Sequence, residues 1–342
     1  MNLSVIVPVR DGVRTLEWCL SALARQTMPP AEVIVVDNGS RDGSGQLARA
    51  FTSRVAPLPL RVVDEPRRGA TFARNRGAAS ARGDVFAFTD ADCEPAADWA
   101  ECLSRALEPG IGAVAGSVRP APPRTAVEAF SALSTLRLGD AAVDSTSFTL
   151  IAGGYPTANL AVRRDVFVAA GGFDEQIRMH GEDYDLCARI YRQGHVIRYD
   201  PRAIVSHHHR TTLRGLLTQS FNHGSCHAYL LRRHFRRKLL IEAPGVCWQR
   251  DDLPGRVWLD LASADKKLAT VLVLALWAPA VWGVAFAYLF YLYVDTSRRF
   301  HREQLPLPRA SRLVAPFLLL AKSAAMTAGR IAGSLRFGAV CF

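Results

Sequence analysis

The sequence predicts an α/β protein built on a doubly wound, mostly parallel sheet of Rossmann type, followed by basic amphipathic and hydrophobic helices that associate with a membrane. Three observations predict it. In the first hundred residues, short apolar runs alternate with helix-like segments, the pattern of a parallel sheet covered on both faces. Residues 201–241 hold eight Lys or Arg and no Asp or Glu. Residues 268–294 then run for 27 positions without a charge.

Each element follows in order. Residues 4–9 form an apolar run, and 15–26 place Leu16, Leu20 and Leu23 at helical spacing. Residues 32–36 are β-branched and stop at Asp37-Asn38-Gly39-Ser40, 45–51 are helical, and 60–63 read as a strand. An Ala-rich helix over 70–81 leads to the apolar run 84–89. Residues 110–155, rich in Gly, Pro and Ala, are less regular. A strand at 159–162, a helix at 164–170 stopped by Gly171-Gly172, a helix at 183–193 ended by Gly194, and strands at 196–199 and 203–207 complete the half. Right-handed crossovers place ligands at the carboxyl ends of the strands.

Composition narrows the class. A chain of 342 residues suggests about two domains of roughly 100–200 residues each. Its 49% hydrophobic and 21% charged content excludes disordered, collagen-like and polytopic membrane proteins. Seven scattered Cys without a C-x-x-C pair read as packed thiols in a reducing compartment, not a disulfide framework. The apolar run at 3–9 has no basic region before it, so no cleaved leader is expected. A net charge of +11 admits nucleic acid, an anionic membrane or a phosphorylated substrate.

Four clusters carry chemistry. Thr89-Asp90-Ala91-Asp92 ends an apolar strand in two carboxylates at i and i+2, on one side of the ligand edge. Such a pair suits Mg²⁺ or Mn²⁺ shared with substrate phosphates, and equally suits a plain strand-to-loop turn. In Gly181-Glu182-Asp183-Tyr184-Asp185 two adjacent acids open a helix. There they cap it, or one of them serves as a general base. Asp37 at the end of the second strand is placed for a base or ribose, within a turn-forming Asn-Gly sequence. His207 and His209 share a strand face, fit for a metal, a phosphate or solvent. Neither a P-loop, a dinucleotide fingerprint nor a G-x-S-x-G elbow occurs.

Taken together, the blocks SVIVPV (residues 4–9), VDNGSRDGS (36–44), RRGATFARNRGAASARGDVFAFTDADCEP (67–95), TANLAVRRDVFVAAGGFDE (157–175) and GEDYDLCARIYRQGHVIRYDP (181–201) resemble glycosyltransferase family 2, the inverting enzymes of GT-A fold. The resemblance covers residues 2–215. It implies that Pro8 and Asp37 contact the nucleobase, with Arg10 beside them, and that Arg74 helps hold the nucleotide. Asp90 is implied near the ribose, and Asn159 in the sugar or acceptor pocket. The same resemblance gives Asp92 the divalent metal on the diphosphate, with His207 as a further ligand. Asp183 becomes the general base for the acceptor hydroxyl, with Glu182 the competing assignment. Arg10-Asp11 stands where the family commonly has an aromatic residue and Asn, which leaves the donor's base open. The Q-x-x-R-W motif of processive synthases is absent, which favours single sugar additions.

Three domains are expected: a catalytic domain over 1–215 (a nucleotide-binding half, 1–108, and an acceptor-side half, 109–215), a basic interfacial region over 216–265, and a hydrophobic membrane-associated region over 266–342. A helix over 268–294 is long enough to span, at about 40 Å against a ~30 Å hydrocarbon core, and Pro279 kinks it. Residues 313–335 offer a second span or an interfacial helix. Residues 230–241 read as a basic amphipathic helix with Leu231, Phe235 and Leu239 on one face. The expected partners are a nucleotide-sugar donor, a glycan or lipid-linked acceptor and an anionic membrane surface, with no nucleic acid. The expected place is the cytoplasmic face of the cell membrane, in cell-envelope or lipid-linked glycan synthesis. Two other readings stand beside this one. A sugar-nucleotide-binding protein would lack turnover, and a nucleotidyltransferase would need a Gly-rich N-terminal loop that residues 4–10 do not supply.

Overall fold

A computed structural model describes residues 1–54, 58–133, 139–150, 152–177, 180–278, 281–302 and 309–342. They form two compact units: Met1–Ala121 with Thr135–His208, and Pro122–Ser134 with His209–Phe342.

The first unit opens with β1 (Leu3–Val9), α1 (Val13–Ala24), β2 (Glu32–Asp37), α2 (Ser44–Arg54), β3 (Leu60–Asp64), α3 (Ala70–Ser80), β4 (Val85–Phe88), β5 (Cys93–Pro95), α4 (Trp99–Ala106) and β6 (Ile111–Pro120). After α5 (Ala126–Ala132), which belongs to the second unit, come β7 (Val143–Ser145), β8 (Leu160–Arg163), α6 (Arg164–Ala169), α7 (Glu182–Arg192) and β9 (Val196–His207). The sheet order is β3-β2-β1-β4-β8-β6-β9-β5, with β7 on β9. Strands β3, β2, β1 and β4 are parallel, and β8 is antiparallel to β4 and β6. Successive residues of one strand bury on opposite faces: Val5, Val7, Val33 and Val35 in one core, Ile6, Ile34, Val36 and Phe88 in the other. That double burial is why these strands show no polar alternation.

Helix α3 lies unusually close to the sheet. A Cβ on Gly77 would stand 2.4 Å from Ile6 Cγ2. Gly77→Ala is therefore expected to cost about 1–3 kcal/mol through overpacking. Urea unfolding at an unchanged midpoint would show that α3 lifts off the sheet without penalty.

Several expectations change here. The stretch 110–155 is not uniformly irregular, because it contains the ten-residue β6. The two expected strands at 196–199 and 203–207 are one strand, β9, with a bulge where its pairing with β6 jumps from Asp200 to Ile204.

The second unit continues with α8 (Leu213–His234), β10 (Lys238–Ala243), β11 (Val246–Arg250), β12 (Arg256–Asp260), α9 (Ala264–Trp277), α10 (Trp282–Arg302), α11 (Arg309–Phe337) and β13 (Val340–Cys341). The helix expected over 230–241 does not exist as one element. Phe235 leaves α8 in extended backbone, and 238–243 pair in a four-stranded sheet, β11-β10-β12-β13. Nor is 268–294 one helix, since α9 ends at Trp277 and α10 begins at Trp282; Pro279 lies outside the described residues. Among the described residues one helix, Ser311–Phe337, is long and apolar enough to cross a membrane.

Candidate active site

The site is assembled at the carboxyl edge of the parallel strands. The β1–α1 and β2–α2 loops are stitched together there. Asp11 accepts from Arg41 N at 2.8 Å, Gly12 N donates to Ser44 Oγ at 3.0 Å, and Val13 N donates to Asp42 Oδ2 at 2.9 Å. Asp11 holds a φ of 52° to do so, a left-handed conformation that Asp tolerates better than most residues. Pro8 and Asp37 flank this edge on paired strands. The Asp37 carboxylate accepts from Ser40 N at 2.9 Å. A Cβ at position 45 would lie 2.2 Å from its other oxygen, which Gly45 avoids. Arg10 is exposed, 3.8 Å from Asp11.

The centre of the site is Arg74 on α3. Its guanidinium donates to Asp90 Oδ1 at 2.8 Å and to Glu182 Oε1 at 2.6 Å, with only 6% of the side chain exposed. Burial opposes its charge, but the two carboxylates outweigh burial and raise its pKa above the ordinary value. Asn75, the next residue, holds both the N–H and the carbonyl of Phe173. Two elements far apart in sequence, the 89–92 turn and the start of α7, are thus fixed to one helix.

Glu182 is committed to Arg74 through Oε1, while its buried Oε2 has no partner among the described residues. Asp183 differs. It is only part-buried, and its Oδ1 accepts from Tyr184 N at 2.9 Å. Burial first, and then the Glu182 charge, push its carboxyl up to about 7 against the pull of Arg74. A carboxylate titrating there is matched to proton abstraction near neutral pH.

Asp92 lies 3.5 Å from His207 Nε2, both part-exposed. Ligand atoms of Asp92, Cys93 and His207 all fall within 4.8 Å of one another. Cys93 is buried, and its thiol is turned toward Asp92. The part-exposed carboxylate and imidazole could together hold a Mg²⁺- or Mn²⁺-type cation that shares phosphate oxygens.

Two expectations need correction. Among the described residues Asn159 faces the packed core and not an open pocket. It is fully buried, accepts from Trp99 Nε1 at 2.8 Å and donates to Ser117 O and Ala203 O, so its amide ties α4 to β6 and β9. His207 and His209 do not share a strand face, because β9 ends at His207. His208 instead sits 2.6 Å from Glu94 and against the Trp18 ring. Sequence reading missed Glu94, Trp18 and His208, and the only signal for them was the histidine run itself.

The family model described as "Glycosyl transferase family 2" matches residues 4–167. Glycosyltransferase AglE of Haloferax volcanii is 34% identical over 184 residues, covering 52% of this chain and 58% of that protein. Residues 4–167 of this chain are thus a glycosyltransferase family 2 domain. A pre-mycofactocin glycosyltransferase of Mycobacterium tuberculosis is 32% identical over 240 residues, 68% of this chain and 48% of that protein. The chain thus spans about half the length of these curated relatives. The mannosyltransferase PcManGT of Pyrobaculum calidifontis, solved with GDP-Man and Mn²⁺, superposes with a TM-score of 0.54 at 21% identity over 94% of this chain and 86% of its own. The fold is therefore GT-A.

Proposed function

We propose that this chain transfers a sugar from a nucleotide-sugar donor to an acceptor hydroxyl in a single, inverting, metal-assisted displacement. The observation that carries the reading is the Arg74 bridge. It fixes Asp90 and Glu182 to one buried cation, with Asp183 beside them as the carboxylate outside that bridge. Asp183 takes the acceptor proton, the acceptor oxygen attacks the anomeric carbon, and the bond from that carbon to the diphosphate oxygen breaks. One displacement at one carbon inverts its configuration. Glu182 is bonded to Arg74, and its charge raises the basicity of its neighbour. Pro8, Asp37 and Arg10 lie where the nucleobase would rest, and Asp90 where the ribose would. Asp92 and His207 would hold the divalent cation, whose chemistry is to stabilise the negative charge on the departing diphosphate.

The apolar helices of the second unit support a membrane-associated enzyme working at the cytoplasmic face on a lipid-linked or envelope glycan acceptor. Incubation with labelled nucleotide sugars, lipid extract and Mn²⁺ should give labelled lipid and free nucleoside diphosphate. Release of pyrophosphate, or binding without product, would assign another activity. Asp92→Asn is expected to weaken Mn²⁺ binding by about 10–100-fold, as read by calorimetry. Unchanged affinity would remove Asp92 from the metal site.

A further inference from the structure

The second unit presents exposed apolar helix faces, and the inference drawn from them rests on the membrane-associated reading above. The uncharged part of α9, residues 268–277, is about 15 Å long, and that of α10, residues 282–294, about 20 Å. Neither reaches across a ~30 Å hydrocarbon core. Helix α11 is long enough, and it exposes Phe317 and Leu335, but polar partners tie it to the rest of the unit. Arg330, with 5% of its side chain exposed, bonds Asp260 at 2.6 Å. Ser323 donates to Asp265, and Thr327 accepts from Lys266. Gly329 and Gly333 let its backbone touch α8, since a Cβ at either would stand 2.0 and 2.6 Å from the carbonyls of Phe221 and Ser225. Crossing would carry α8 along, with Arg214, Gln219, Asn222, Arg232 and Arg233, into hydrocarbon.

Its exposed side chains include large apolar ones on α9 and α10: Leu276 at 77%, Trp277 at 85%, Phe286 at 69% and Phe290 at 67%. Exposed Arg298, Arg299 and Arg302 lie further along α10. Large apolar side chains with cations on the same helix match one leaflet carrying anionic headgroups.

We infer that the chain is monotopic: α9 and the outer face of α10 enter a single leaflet of an anionic phospholipid membrane, and no helix spans it. The full chain should sediment with vesicles of phosphatidylethanolamine and phosphatidylglycerol. Leu276→Lys, Trp277→Lys and Phe286→Lys together should lower that partitioning at least about tenfold, with transfer to a soluble acceptor unchanged. Topology is read in sealed inside-out membrane vesicles with an impermeant maleimide. Native Cys247 is exposed; Arg302→Cys and Arg336→Cys are each made in a Cys247→Ser background. All three positions should react from the same side without detergent. Protection of position 302 would mean that α9–α10 crosses, and protection of position 336 alone that α11 does. Either result overturns the single-leaflet mode while leaving membrane association intact. A wild-type chain that ignores the vesicles removes both.

Discussion

Asp183→Asn is expected to lower turnover by about 10²–10⁴-fold, the usual contribution of a positioned proton acceptor, while leaving donor affinity unchanged. The raised pKa gives the wild-type pH profile its shape. Asp183 is charged above about 7, so kcat should be full above that value and fall about tenfold per unit below it. Folding responds in the opposite sense. The folded state holds a proton on Asp183 that the unfolded chain has already lost, so ionising it destabilises the wild type as pH rises from the ordinary carboxylate range toward 7. The Asn variant escapes this loss, and its melting temperature should exceed that of the wild type at pH 8 but match it at pH 4. A flat pH–rate profile, or near-normal turnover by the variant, would move the base elsewhere.

Arg74→Gln is the largest expected stability effect. It leaves Glu182, 7% exposed, and Asp90 without their shared cation. Breaking a buried pair in this way costs about 3–5 kcal/mol, measurable by urea unfolding. Arg74→Lys keeps the charge but cannot fork to both acids, so it should retain more stability and recover little of the geometry. Because Arg74 pulls the Asp183 pKa down, Arg74→Gln should also move the acid limb of the rate profile above 7. Loss of stability with the limb unmoved would reduce Arg74 to a structural role.

The parallel half of the fold was legible because its strands are buried on both faces and written in Val, Ile and Phe. Strand β6 was not, for a physical reason. It carries Gly112 where His195 comes within 2.8 Å of a would-be Cβ, and Gly116 where Ala203 O comes within 2.2 Å. Close contact with neighbouring chain selects residues that weaken any local strand signal. The 230–241 error has a similar origin: Lys238 looks like a solvated helix residue, but it is buried in a strand and paired with Asp251 at 2.8 Å. Within the site, the acidic clusters stood out individually. The bridge that joins them did not, because Arg74 and Glu182 are 108 positions apart.

The β1–α1 and β2–α2 loops are tied to each other in the folded chain. Asp11, Ser44 and Asp42 fix both loops through bonds within the chain, so their conformational freedom is lost during folding and not when a donor arrives. Recognition at this edge then behaves as a rigid template. Under the proposed function, a change of nucleobase preference would come from exchanging side chains such as Arg10 on an unaltered frame, and donor association would carry little heat-capacity change from loop ordering.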